Sequence, residues 1–252
     1  MSDTGFLVSA IIVIIVAVGG GSLVYSLIDV DSRRRHQEVG STVFLQVGVM
    51  FAVLLAFVFN QVWGEYNIAS QAVNGESAAL HNISMLADTL PDRMGRPAVD
   101  SILRYAQRVS TAEWAAMARF QHDEEAVHDM QVVVRTVVAL DPPPAFQSVK
   151  GEMLSLLAEA HANRETRFYQ MTQLLPWPIW AILIAYSFIL LLFVALAGTE
   201  GRIAHTTING TFAACTVLVL LLIYLLDAPF RGLLAIPPTD FIALIRRIHA
   251  WG

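Results

Sequence analysis

Residues 43–90, VFLQVGVMFAVLLAFVFNQVWGEYNIASQAVNGESAALHNISMLADTL, constrain this chain more than any other stretch. Positions 43–59 carry no charge, and Gln46 is their one polar side chain. With Thr42 and positions 60–63 the run reaches spanning length, because about 20 apolar residues cross a bilayer's hydrocarbon. No proline and no glycine cluster follows until Pro91. Beyond the apolar part the pattern turns amphipathic, with Ile68, Ala72, Ala79, Ile83, Leu86 and Leu90 on one stripe at the helical period. The expectation is one helix that crosses the membrane and runs on as the first helix of a water-facing domain. A step of about 100° per residue sets Glu65 and Glu76 on or beside that stripe, against packed neighbours.

Composition supports a membrane class. Hydrophobic residues make up 56% of the 252 and charged residues only 15%, too apolar for an ordinary soluble domain. A net charge of -5 argues against a nucleic-acid partner. The single cysteine, Cys215, excludes an intrachain disulfide.

Three more apolar runs complete the pattern. Residues 6–27 are uncharged and preceded by Ser2, Asp3 and Thr4 rather than by the basic residues of a signal peptide, so they form the first span. Gly19, Gly20 and Gly21 in its second half suit close helix approach, or alternatively a hinge. A polar connection with Arg33, Arg34, Arg35 and His36 leads to the second span. There Gly48, Ala52, Ala56 and Asn60 recur every four residues, a row that either seats another helix or lines a pore. Trp63 and Tyr66 match an interfacial aromatic belt. Pro176-Trp177-Pro178 opens the third span, 179–197, and the fourth runs over 207–226. The first turns of that fourth span are polar, with Thr207, Asn209, Thr211, Cys215 and Thr216.

The fold class expected is an all-α integral membrane protein: four transmembrane helices with a helical soluble domain between spans two and three. Its divisions are 1–64, a first transmembrane hairpin; 65–175, the soluble domain; 176–228, a second hairpin; and 229–252, an amphipathic C-terminal helix. Within the domain, prolines at 91, 97 and 142–144 separate helices near 98–121, 124–139 and 146–174. In the last segment Phe241, Leu244, Ile245, Ile248 and Trp251 share a face, as in a helix lying on lipid or on a partner. Four spans put both termini and the domain on one side of the bilayer. The three loop arginines then favour the short loops in the cytoplasm.

That topology brings Glu65, Arg164, Arg167, Asp227 and Arg231 to one membrane side. The group fits structural ion pairs, with Asp227 held by Arg231, Arg164 or Arg167, or else an ion entrance with positive potential. Enzymatic readings fail on spacing. Glu125 and His128 have the Glu-x-x-His spacing of di-iron bundles, but no second copy exists. No zinc helix, phosphate loop or nucleophile elbow occurs either, so no catalytic group, metal or cofactor is expected.

The segments GVMFAVLLAFVFNQVWGEY, LRYAQRVSTAEWAAM, NRETRF followed by LLPWPIW, and LDAPFRG resemble, in that order, the bacterial bestrophin-like membrane family. The resemblance covers about 36–232. It implies a multi-pass protein of the bacterial inner membrane and a distant link to true bestrophins, which are pentameric anion channels with a large cytosolic helical region. That link would set the domain in the cytoplasm, opposite to the loop-charge count. The calcium-binding acidic cluster of eukaryotic bestrophins has no counterpart here. The function implied is an oligomeric anion channel, with chloride the expected ion and lipid and further copies of the chain the expected partners. Its ion path would involve Asn60, Thr207, Asn209, Thr211, Thr216 and Arg231, since a partly dehydrated ion needs dipoles in place of water. The alternative is a non-conducting, membrane-anchored sensor or scaffold.

Overall fold

The computed structural model describes residues 37–197 and 201–251, together with 12, 15, 19–21, 23 and 25–27. Most of the expected first span, the three loop arginines and Glu200 lie outside the described residues. Among those described there is no strand. From Gln37 onward the described residues form eight α-helices: α1 Gln37–Asp88, α2 Arg96–Arg108, α3 Trp114–Met117, α4 Glu124–Val138, α5 Gln147–Thr172, α6 Trp177–Ala195, α7 Arg202–Leu226 and α8 Thr239–Trp251. Helices α1, α6 and α7 are long and apolar enough to cross a membrane.

Helix α1 is continuous over 52 residues, about 78 Å at 1.5 Å per residue. Its isolated glycines do not break it, because one glycine costs only about 1 kcal/mol relative to alanine. It ends where Pro91 opens a 3-10 turn, Pro91–Arg93, in which Asp92 and Arg93 take positive φ angles of 54° and 58°. Gly95 follows. A side chain there would meet the Ala87 carbonyl oxygen at 1.9 Å, so only glycine lets the start of α2 approach the end of α1.

The chain forms two compact units, 1–64 with 174–227, and 65–173 with 228–252. In the first, aromatic rings join the helices. Phe51 of α1 stacks on Tyr186 of α6 at 6.0 Å, and Phe44 meets Phe193 and Phe212 at 6.3 and 6.0 Å. Trp180 of α6 meets Tyr224 of α7 edge-on at 6.4 Å. His205, buried at the start of α7, pairs through Nε2 with the Ala195 carbonyl at 2.9 Å. Asp227 Oδ1 accepts from the Leu175 backbone N–H at 2.8 Å, tying the start of the α6 segment to the end of α7.

In the second unit Ala69, Val73, Leu80 and Ile83 of α1 meet Ile102, Tyr105 and Val109 of the α2 segment and Met153, Leu157 and Met171 of α5 in one core. Asp123 caps α4 by accepting from the Glu125 N–H at 3.2 Å, and Glu124 and Glu125 favour its positive end. The expected single helix over 98–121 is interrupted. Val109–Glu113 forms a π-turn between α2 and α3. Helix α8 packs on α2 and this π-turn, with Phe241, Leu244 and Ile248 buried. The face expected to meet lipid or a partner is therefore covered by this chain's own helices, because α2 and the π-turn offer a complementary apolar surface.

Candidate functional site

Two places carry polar chemistry or unusual exposure. In the membrane-type unit, α1 buries Phe51, Val58 and Val62 and leaves Val49, Met50, Val53, Phe57 and Asn60 exposed. Spacings of three and four residues set these exposed positions on one side of the helix. Phe57 is 72% exposed. The row Gly48, Ala52, Ala56 and Asn60 borders this side. A Cβ built at Gly48 would lie 4.0 Å from the Leu190 side chain, whereas Ala52, Ala56 and Asn60 are exposed. Most of this row thus seats no helix among the described residues.

The polar positions of α7 diverge. Thr207, Thr211 and Cys215 are exposed along one stripe. Asn209 is buried, and its amide occupies the place a side chain at position 21 would take, 1.6 Å from a Cβ built there. Gly21 is thereby the close-approach glycine, whereas Gly19 and Gly20 have open space. Thr216 donates to the Phe212 carbonyl of its own helix at 2.9 Å.

In the second unit four charged side chains are buried together. Arg167 of α5 forks onto Glu76 of α1, Nε to Oε2 at 2.8 Å and Nη2 to Oε1 at 3.3 Å. Its Nη2 also donates to Glu113 Oε1 at 3.1 Å, and Nη1 meets the Met117 sulfur at 2.8 Å. Arg164, one turn earlier, reaches the Glu113 carboxylate at 3.1 Å. The Tyr105 hydroxyl accepts from Arg164 and donates to Glu76. Two carboxylates thus balance two guanidiniums around a neutral phenol. Burial alone would lower the Arg167 pKa; Glu76 and Glu113 more than offset it, so the net direction is upward. Burial raises the Tyr105 pKa well above its ordinary value, and the Glu76 charge adds to this. The phenol therefore stays protonated. Such a network suits holding helices in register, since removing one member strands a buried charge.

A family model of the bestrophin-like domain matches residues 11–241. The chain belongs to the bestrophin-like family. Solved structures agree in fold. A bacterial bestrophin homologue from Klebsiella pneumoniae carrying one substitution superposes with a TM-score of 0.71 at 14% identity, over 94% of this chain and 98% of that one. A second variant of the Klebsiella homologue gives 0.70 at 15% identity, over 94% and 98% of the two chains. A crystal structure described as that of a membrane protein gives 0.69 at 14% identity, over 94% and 97%. No curated protein sequence matches.

Within this bestrophin-like chain, Glu76, Arg164 and Arg167 meet in one network. Arg164 and Arg167 turn to Glu76 and Glu113, not to Asp227 as one expectation had it. Those two carboxylates lie in the same buried core and meet the guanidiniums at hydrogen-bond distance. Glu65 is half-buried, and Arg231 sets its guanidinium 5.7 Å from the Phe120 ring centroid. Glu125 and His128 are both exposed. Glu113 and Tyr105 were not among the residues expected from sequence. A signal existed: Ile102, Tyr105, Ala106 and Val109 form an apolar stripe that runs on through Ala116 and Met117, and Glu113 sits on it. An acidic residue on a buried stripe requires a buried partner.

Proposed function

We propose that this chain is one subunit of a homo-oligomeric ion channel that favours anions, with the membrane part of α1 as its pore wall. The observation that carries the reading is the exposed, uncharged side of α1, which presents Val49, Val53 and Phe57 followed by Asn60. Four spans cannot enclose a water-filled path and a gate, so a pore requires further copies of the chain. A ring of Phe57 side chains would narrow such a path and close it by dewetting, and Asn60 would offer dipoles to a partly dehydrated ion. Arg231, repeated around the ring, would raise local anion concentration. Membership of the family and the resemblance to pentameric anion channels support the same reading. Of the positions considered on α7, Asn209 and Thr216 are engaged within the chain, so α1 is preferred over α7 as the wall. The test is current across planar bilayers holding purified protein under asymmetric chloride. A reversal potential displaced toward the chloride equilibrium value is expected. Oligomers that pass no current at either polarity would leave a sensor or scaffold in place of the channel.

A further inference from the structure

The segment after α7 contains a feature that neither the ion path nor the buried network uses. Leu233 and Leu234 are 61% and 38% exposed at the tip of a tight loop. The loop is rigidly built. Arg231 N–H donates to the Ala228 carbonyl at 3.0 Å, Ala235 to Gly232 at 3.2 Å and Ile236 to Pro229 at 2.8 Å. Gly232 takes a φ of 91°, which a side chain would strain, and it turns the chain so that the two leucines follow at the tip. The Tyr66 hydroxyl donates to the Leu234 carbonyl at 3.0 Å and pins the tip from α1. A fixed backbone that holds two adjacent leucines outward has no use in water, where each exposes apolar area.

We propose that Leu233 and Leu234 form a lipid-seated tip that anchors this loop in the membrane interface. Two independent measures of depth favour lipid over a second copy. Leu233 follows Leu226, the last residue of α7, by only seven positions, and the turns closed by the Asp227 N–H on Ile223 and the Arg231 N–H on Ala228 keep that stretch well short of its extended reach of about 25 Å. Tyr66 lies three residues beyond Trp63 on the same continuous helix, a rise of about 4.5 Å, and tryptophan at the end of an apolar run marks the interface. Two side chains on a convex tip are also too little surface for a contact between subunits, which buries hundreds of Å² per partner. The inference holds whether or not the protein conducts ions.

The test uses the full chain with Cys215→Ser and a nitroxide at Leu233→Cys, reconstituted in vesicles of phosphatidylcholine and phosphatidylglycerol. Collision rates with oxygen, which concentrates in lipid, and with a water-soluble nickel chelate are compared. Leu218→Cys, on an exposed position of α7, supplies the lipid reference, and Val138→Cys, on an exposed position of α4, supplies the aqueous one. Oxygen collisions in excess at Leu233, as at Leu218, are expected. A ratio like that of Val138 would overturn the proposal. So would shielding from both reagents, the mark of a tip covered by a second copy.

Discussion

Arg167 donates from Nε to Glu76 Oε2 at 2.8 Å, joining two fully buried side chains 91 residues apart in sequence. The pair ties α5 to α1 within the helical unit. Arg167 also lies 4.9 Å from the Phe168 ring and 5.7 Å from that of Trp114, so the charge has no water to fall back on.

Arg167→Met should therefore cost about 3–5 kcal/mol, because Glu113 keeps Arg164 while Glu76 keeps only the neutral Tyr105 hydroxyl and stays buried with its charge unmatched. The combined change with Glu76→Met should recover much of that loss, since Glu113 keeps Arg164. Thermal unfolding in detergent measures both. A double variant as unstable as the sum of the singles would show that shape, not charge balance, dominates here.

Acid sensitivity is predicted at Asp123. The Arg108 side chain, donating at 2.6 and 3.0 Å, holds the Asp123 carboxyl below its ordinary pKa against the opposing effect of burial. A folded-state pKa below the unfolded one gives stability that is present above about pH 4 and is lost as pH falls through the folded value. Asp123→Asn keeps an oxygen for the α4 cap but removes the titration, so its stability should decline less steeply below about pH 4. An acid limb parallel to the parent's would count against this pairing.

Two glycines should respond in opposite directions. At Gly95 a methyl group would strike the Ala87 backbone, whose oxygen and carbon lie 1.9 and 2.5 Å from the built position. Gly95→Ala should cost about 1–3 kcal/mol, as overpacking does. Gly151, inside α5, has nothing within 4 Å. Gly151→Ala should stabilise by about 0.4–1 kcal/mol through lower unfolded-state entropy. Melting temperatures of the two variants decide both statements, and equal shifts would refute them.

Phe57→Ala tests the proposed pore wall without removing a buried group. Widening a dewetting constriction should raise the current carried at a given voltage in planar bilayers. Loss of selectivity need not accompany it. Current identical to the parent's would place Phe57 on a lipid-facing or intersubunit surface instead.

The sequence by itself determined the helical class, the apolar runs and the continuity of α1, because these depend on local properties. An uncharged run of spanning length has few alternatives to a membrane helix, and a chain without breakers from 43 to 90 has no place to turn. Segment resemblance was sufficient to indicate the family as well. Partnership was different. Arg164 and Arg167 were visible as charges near a membrane, yet their acceptors Glu76 and Glu113 are 91 and 51 residues away, a pairing no periodicity specifies. The π-turn at Val109–Glu113 was equally hidden, since hydrogen-bond register within a helix leaves no mark on composition. Likewise the apolar face of α8 was legible, but whether it met lipid or protein was not. Only the tertiary structure decided that, because burial depends on which surfaces compete for the same face, and here α2 and the π-turn reach it first.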